Sequence, residues 1–170
     1  FAMVAALARH IPQATSSLKN GLWERGKFTG VELSGKSIGI FGLGQVGREV
    51  ARRAGAFGMK VLGRDPYIGE DVAMSCGAQL AAPEEIFAVA DFITVHLHLN
   101  DQTHHMISDG EIAQCKDGVY LVNCARGGLI DETALLRGLE SGKVAGAALD
   151  VFEEEPPALV DLVVHDLSLI

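Results

Sequence analysis

The chain has 170 residues and a formal net charge of −8 at pH 7, with 48% hydrophobic and 21% charged residues. This length suits one domain with a sizeable core, and the acidic balance disfavours nucleic acid or an anionic membrane surface as a partner. The three cysteines, Cys76, Cys115 and Cys124, lack metal-site spacing, and an odd number argues against a disulfide framework. We therefore expect reduced thiols in a cytoplasmic protein. Because the chain opens at Phe1 without a methionine, we also expect it to be part of a longer protein.

The first segment, residues 1–18, is predicted to be a helix with one apolar face. The apolar residues at helical spacing are Val4, Leu7, Ala8 and Ile11. Pro12 is expected to bend or divide the helix, since proline lacks the N–H that a helix interior requires. The apolar face must pack either on the sheet of this domain or on a second copy of the chain. Trp23 and Phe28, in the connection that follows, are expected to anchor packing.

A G-x-G-x-x-G pattern at Gly42, Gly44 and Gly47 lies between a predicted strand and a predicted helix. In this context Gly42 permits a tight turn, Gly44 lets the main chain approach a pyrophosphate, and Gly47 lets the helix pack on the strand. The free N–H groups of the first helical turn, at Gln45 and Val46, would then face the phosphates. The motif predicts dinucleotide binding, with a plain turn before a helix as the alternative.

An acidic residue follows the next predicted strand. Asp65 lies 18 residues beyond Gly47, close to the spacing of about 20 expected for the acid that binds the adenosine ribose hydroxyls. A carboxylate there favours NAD, because it would repel the 2′-phosphate of NADP. Arg64 beside it leaves NADP open, since an arginine can accommodate that phosphate. A solvated loop acid is the other interpretation of Asp65.

Strand and helix patterns continue to alternate to the end of the chain. Further strands are predicted at 92–97, 119–124, 144–151 and 167–170, with helices starting near Pro83, Ser108 and Asp131. This alternation predicts an α/β fold: a doubly wound parallel sheet of Rossmann type, covered by helices on both faces. Ligands in such folds bind at the carboxyl ends of the strands. The residues predicted at those ends are Gly42, Asp65, His96, Cys124 to Gly127 and Asp150.

Five stretches of the chain resemble the NAD-dependent D-2-hydroxyacid dehydrogenases. They are 42–47, 63–66, 91–96, 123–128 and 146–152. The stretches 8–14 and 153–157 are similar to one branch of that family, which oxidises a phosphorylated 2-hydroxy acid. The resemblance implies that residues 1–170 form an NAD-binding domain whose flanking substrate-binding domain is absent here. It also implies hydride transfer between the nicotinamide and C2 of a small 2-hydroxy acid, and a homodimer formed through the N-terminal helix.

The resemblance also implies roles for individual residues. Arg126 would bind the cofactor and clamp a substrate carboxylate or polarise its carbonyl, and Glu155 would hydrogen-bond a catalytic histidine. Asp150 would meet the nicotinamide amide, and Cys124 with Ala125 would contact the cofactor. A surface ion pair is the alternative for Arg126, and a solvated acidic loop is the alternative for Glu155.

Two positions depart from the pattern of the family. Leu97 and His98 stand where the family usually has Thr-Pro, so Leu97 occupies the position of a cofactor contact without its hydroxyl. The catalytic histidine of the family follows a proline beyond the last predicted strand, so we do not assign that role to His165. No metal site is expected, because the histidines at 96, 98, 104 and 105 have no nearby cysteine and no ligand set of fixed geometry.

Three functional interpretations remain open from the sequence. The first is the cofactor domain of an oxidoreductase for the phosphorylated 2-hydroxy acid. The second is another 2-hydroxyacid dehydrogenase, acting on glyoxylate or hydroxypyruvate. The third is an NAD(H)-sensing module similar to the co-repressors of this family. Arg126 and Glu155 favour an enzyme, since a pure sensor needs neither residue.

Overall fold

A six-stranded parallel sheet forms the centre of the domain, which the computed structural model describes for residues 1–156. The strands are β1 (Ser37–Phe41), β2 (Lys60–Arg64), β3 (Gln79–Leu80), β4 (Phe92–Val95), β5 (Val119–Asn123) and β6 (Val144–Leu149). Their order is β3-β2-β1-β4-β5-β6, and each adjacent pair is parallel. The chain reverses its direction of winding between β1 and β4, which is where such sheets bind ligands. The predicted doubly wound fold is confirmed.

Helices cover both faces of this sheet. They are α1 (Ala2–Ala8), α2 (Ile11–Lys19), α3 (Gln45–Ala56), α4 (Glu70–Ser75), α5 (Pro83–Val89), α6 (Asp109–Gln114) and α7 (Glu132–Glu140), with a 3₁₀ turn at Arg25–Phe28. One buried apolar cluster joins α1, α3 and α4 to one face, and a second joins α5, α6 and α7 to the other. Successive strand residues alternate between the two clusters, as Phe92 and Ile93 do in β4. The strand predicted at 167–170 lies outside the described residues.

The N-terminal segment forms two helices because the chain turns at His10, which has a left-handed φ of 50°. Pro12 lies in the first turn of α2, where its missing N–H leaves no hydrogen bond unmade, so it divides the segment as expected. Val4 and Leu7 of α1 are buried, and this helix packs on β5 and β6 of its own domain. The apolar face of α1 is therefore already covered.

By contrast, the surface of α2 and the connection after it is exposed. Ile11 is 52% exposed and Leu18 is 59% exposed. Trp23 is 75% exposed, so the prediction that it anchors packing is wrong. Periodicity identifies an apolar face but does not say what covers it. Within residues 1–156, no helix is long and apolar enough to cross a membrane.

Candidate functional site

β1 passes into α3 through a tight backbone loop. Gly42 has a φ of +93°, and a Cβ there would lie 2.5 Å from the carbonyl oxygen of His96. A Cβ on Gly47 would lie 1.9 Å from the carbonyl oxygen of Gly42, so the first turn of α3 packs directly on the loop. A Cβ on Gly44 would meet no atom within 4 Å. Gly42 therefore makes the turn, Gly47 permits the close packing, and Gly44 faces open space.

The start of α3 presents unpaired backbone donors to that open space. Gly44 is the N-cap and supplies no side-chain acceptor. The N–H groups of Gln45, Val46 and Gly47 belong to the first turn, where a helix has no internal acceptors. The first turn carries no acidic residue, and α3 has 12 residues with dipoles aligned along its axis. This end of α3 is suited to bind a phosphate group.

Asp65 follows β2 and faces the glycine loop. Its Oδ2 accepts a hydrogen bond of 2.8 Å from the N–H of Leu43, and its Oδ1 accepts one of 2.9 Å from the N–H of Tyr67. The first bond ties the end of β2 to the loop of β1. A carboxylate offers about four lone-pair sites, so both oxygens retain capacity to accept hydroxyl groups of a ligand.

A pocket of about 350 Å³ opens between the end of β2 and the start of α5. It is lined by Phe41, Arg64, Pro66, Pro83, Glu84, Phe87, Leu97, Met106, Glu111 and Gln114. Leu97 also borders the glycine loop, since its Cδ2 lies 3.0 Å from where a Cβ on Gly42 would be. The apolar wall and charged rim of this pocket suit a flat aromatic group with polar edges. Leu97 supplies part of that wall and no hydrogen bond.

The loop after β5 is held by a buried amide, Asn123, which is 2% exposed. Its Nδ2 donates to the carbonyl oxygen of Arg126 at 2.8 Å, and its Oδ1 accepts from the N–H of Ala125 at 3.0 Å. Its own carbonyl oxygen accepts from the N–H of Asp150 at 3.0 Å. Asn123 thus fixes the loop of Arg126 relative to the end of β6. Sequence reasoning did not single it out, although a lone amide ending an apolar strand was a signal.

Arg126 and Cys124 lie exposed on this loop. Within residues 1–156 Arg126 makes no ion pair, and its Nη1 donates to the carbonyl oxygen of Ala125 at 2.6 Å. Its guanidinium is thus available to an anion, and the surface ion pair considered from the sequence does not form among the described residues. The Sγ of Cys124 lies 3.2 Å from the Sδ of Met3 in α1. Because Cys124 is exposed, its thiol is only partly desolvated, and this partial burial raises the pKa of the thiol, so it is neutral at pH 7.

The segment after β6 lies against the Arg126 loop. A Cβ on Gly127 would fall 1.8 Å from the carbonyl oxygen of Phe152, so the two backbones touch. Glu155 folds back on the same segment, and its Oε1 accepts from the N–H of Phe152 at 3.1 Å. The structure therefore brings the segment of Asp150 and Glu155 beside Arg126. His165 lies outside the described residues.

The histidines near β4 contact different partners. The Nε2 of His96 lies 3.1 Å from the Oγ1 of Thr94, and burial lowers the pKa of His96 to about 4. His96 is therefore neutral at pH 7 and unsuited to act as a general base there. The rings of His104 and His105 stack with centroids 3.9 Å apart. In the part of the chain that the structure describes, no three His, Cys, Asp or Glu residues are grouped to hold a metal ion.

Comparison with known proteins identifies the family. The family described as D-isomer specific 2-hydroxyacid dehydrogenase, NAD binding domain, matches residues 1–167. The chain belongs to this family. The resemblance noted from the sequence is confirmed, and so is NAD as the cofactor of the domain.

Two curated relatives of this D-2-hydroxyacid dehydrogenase domain are named D-3-phosphoglycerate dehydrogenase. The protein of Homo sapiens is 59% identical over 162 residues, which cover 94% of this chain and 30% of the relative. That of Bacillus subtilis is 52% identical over 169 residues, covering 99% of this chain and 32% of the relative. The chain thus spans about a third of the length of these relatives.

A solved structure shows the same architecture. The D-lactate dehydrogenase of Aquifex aeolicus, complexed with NAD and lactic acid, superimposes with a TM-score of 0.84 at 36% identity. The match covers 91% of this chain and 46% of that one. The domain described here thus shares its fold with the corresponding part of a protein seen with the cofactor bound.

Proposed function

We propose that residues 1–170 are the NAD-binding domain of an enzyme that oxidises 3-phosphoglycerate to 3-phosphohydroxypyruvate, at the start of serine biosynthesis. One observation supports the oxidoreductase function: the start of α3, Asp65 and Arg126 all lie at the carboxyl edge of the sheet. The names of the human and Bacillus relatives support the choice of substrate.

We propose one orientation for the cofactor at this edge. The N–H groups of Gln45, Val46 and Gly47 would hold the pyrophosphate, with Gly44 leaving room for its approach. Asp65 would accept the adenosine ribose hydroxyls, and the pocket beside Leu97 would take the adenine. This orientation directs the nicotinamide across the sheet, toward the loop after β5 and the end of β6. We assign its contacts to Cys124, Ala125 and Asp150.

The residues around the nicotinamide suit oxidation of a 2-hydroxy acid. NAD, when bound, supplies the acceptor for the hydride that leaves C2. Arg126 would bind the substrate carboxylate through two parallel N–H bonds, which fixes the orientation of C2. Glu155 would hold a histidine from beyond the described residues, and that histidine would accept the hydroxyl proton. Arg126, which makes no ion pair among the described residues, favours this enzyme over a module that only senses NAD(H).

The assembly and location of the protein also belong to this proposal. We expect a homodimer that uses the N-terminal segment. Because α1 is buried on its own domain, the exposed side chains of α2, such as Ile11 and Leu18, offer the available apolar surface there. A reduced cytoplasmic compartment suits Cys76 and Cys115, which are buried and unpaired.

The substrate is tested by measuring NADH formation by the complete protein with several 2-hydroxy acids. We expect kcat/KM with 3-phosphoglycerate to exceed that with D-lactate or glycerate by at least about tenfold, or roughly 1.4 kcal/mol of transition-state stabilisation. Faster reduction of glyoxylate or hydroxypyruvate would assign the protein to another branch of the family. NAD binding without turnover of any 2-hydroxy acid would favour the sensor.

A further inference from the structure

A side-chain network distant from the glycine loop joins three segments of the domain. His105 precedes α6, Glu153 follows β6, and Asp131 and Glu132 begin α7. The Nε2 of His105 lies 3.0 Å from the Oε1 of Glu153, and its Nδ1 lies 3.7 Å from the Oδ2 of Asp131. Glu153 and Glu132 also exchange bonds, since each carboxylate accepts from the backbone N–H of the other, at 3.2 and 2.7 Å.

His105 has a backbone conformation that residues other than glycine rarely adopt. Its φ is 51°, in the left-handed region, which histidine and asparagine tolerate better than most residues. The N–H of His105 donates to the carbonyl oxygen of Gly128 at 2.7 Å. His105 therefore bonds the loop of Arg126 through its backbone and the segment of Glu155 through its side chain.

The two segments that His105 joins are already in contact. The backbone of Gly127 touches the carbonyl of Phe152, whose N–H is bonded to Glu155. We propose that His105, acting through Glu153, is a positioning residue that couples the loop of Arg126 to residues 150–156. This proposal rests on the proposed dehydrogenase function, because that function gives Arg126 and Glu155 their roles.

Among the groups around His105, Glu153 depends on the His105 side chain more than Asp131 does. The groups that face this side chain are the carboxylates of Glu153, Glu132 and Asp131, together with the stacked ring of His104. Asp131 is also held by other bonds, because it caps α7 at the N–H of Ala134 and accepts from the hydroxyl of Ser108. Without a donor at position 105, the Oε1 of Glu153 would keep only its bond from the N–H of Glu132, so residues 150–156 would lose their side-chain attachment to the segment before α6.

Two amide substitutions distinguish the contribution of the His105 side chain from that of its backbone conformation. In the complete protein, His105→Gln keeps an N–H donor on a side chain that is long enough to reach Glu153. The asparagine side chain in His105→Asn is too short to reach it, but asparagine tolerates the left-handed backbone better. We expect kcat to fall about tenfold in His105→Asn and less than about threefold in His105→Gln, with NAD affinity within about twofold of the parent. The reverse order, with His105→Asn the more active, would show that only the backbone matters and would overturn the proposal.

The neighbouring ring provides the matched control. His104→Asn makes the same change in an exposed histidine that forms no ion pair within residues 1–156, and it should leave kcat unchanged. Glu153→Ala should lower kcat, and adding His105→Asn to it should cost little more, because both changes remove the same bond between His105 and Glu153. Fully additive losses, or a loss in His104→Asn equal to that in His105→Asn, would contradict the coupling.

Hydrogen exchange tests the contact without requiring turnover. Amides of residues 150–156 should exchange about tenfold faster in His105→Asn than in His104→Asn, because the segment loses the bond between Glu153 and His105. Unchanged exchange in that segment would overturn the coupling. A parent protein that makes no NADH from any 2-hydroxy acid would instead refute the proposed function, and the exchange result would still decide on the coupling.

Discussion

Asp65 should decide the preference of this domain for NAD over NADP. In the free protein its two oxygens already accept from Leu43 and Tyr67 at 2.8 and 2.9 Å, which fixes the carboxylate beside the glycine loop. Each oxygen keeps a lone pair for a ribose hydroxyl, and a hydrogen bond to a charged group contributes about 1.5–3 kcal/mol. Losing two such bonds at this partly exposed site should cost NAD binding about 2–3 kcal/mol, or roughly 30- to 150-fold in affinity.

The perturbation is Asp65→Ala, and the assay is calorimetric titration with NAD and NADP. The parent should bind NAD at least about tenfold more tightly than NADP. The variant should lose most of this preference, because NAD binding weakens while the repulsion of the 2′-phosphate is removed. Asp117→Ala is the control, since that carboxylate is 94% exposed, pairs only with Lys143 among the described residues, and should not affect either cofactor. Equal affinities in the parent, or an unchanged preference in Asp65→Ala, would show that Arg64 controls this pocket.

Three further predictions concern other parts of the site. Asn123→Leu leaves the carbonyl of Arg126 and the N–H of Ala125 without their partner, so urea unfolding should show a loss of about 2–4 kcal/mol, and a loss below about 0.5 would contradict this role. Leu97→Thr restores a hydroxyl beside the glycine loop, so NAD titration should show a gain of about 0.5–1.5 kcal/mol, and weaker binding would show that the apolar wall matters more. His96 has a pKa of about 4 when folded, below the value of about 6.5 in unfolded chains, so it destabilises the fold as pH falls from about 6.5 to about 4. His96→Gln should lose less stability than the parent over that pH range, and identical pH dependence would refute a buried neutral imidazole.

The glycine loop and the sheet could be predicted from sequence because both follow from local patterns. The glycine-rich turn lies between an apolar strand pattern and apolar residues at helical intervals. Backbone sterics alone then determine the conformation of the β1–α3 loop. The start of α6 near Ser108 could also be predicted, and the N–H of Ser108 donates to the carboxylate of Glu111, at 3.1 Å. These features involve neighbours a few residues apart in the chain.

Contacts between distant residues could not be predicted in this way. His105 and Glu153 are 48 residues apart, and nothing in either local pattern indicates that they meet. The same limit explains the N-terminal segment, where the pattern showed an apolar face on α1 but not that β5 and β6 cover it. Asn123 differs, because its bonds to Ala125 and Arg126 are local and are typical of an amide at the end of a strand.

We predict that residues 1–170 bind NAD and that turnover requires the substrate-binding domain as well. The most direct test compares NADH formation from 3-phosphoglycerate by this 170-residue chain and by the complete protein, alongside titration of both with NAD. We expect both to bind NAD and only the complete protein to turn over, since loss of a general base alone costs about 10²–10⁴-fold. Turnover by the isolated chain within about tenfold of the complete protein would contradict this division, because about 10² is the least that such a loss should cost. Failure of the chain to bind NAD would contradict the binding site itself.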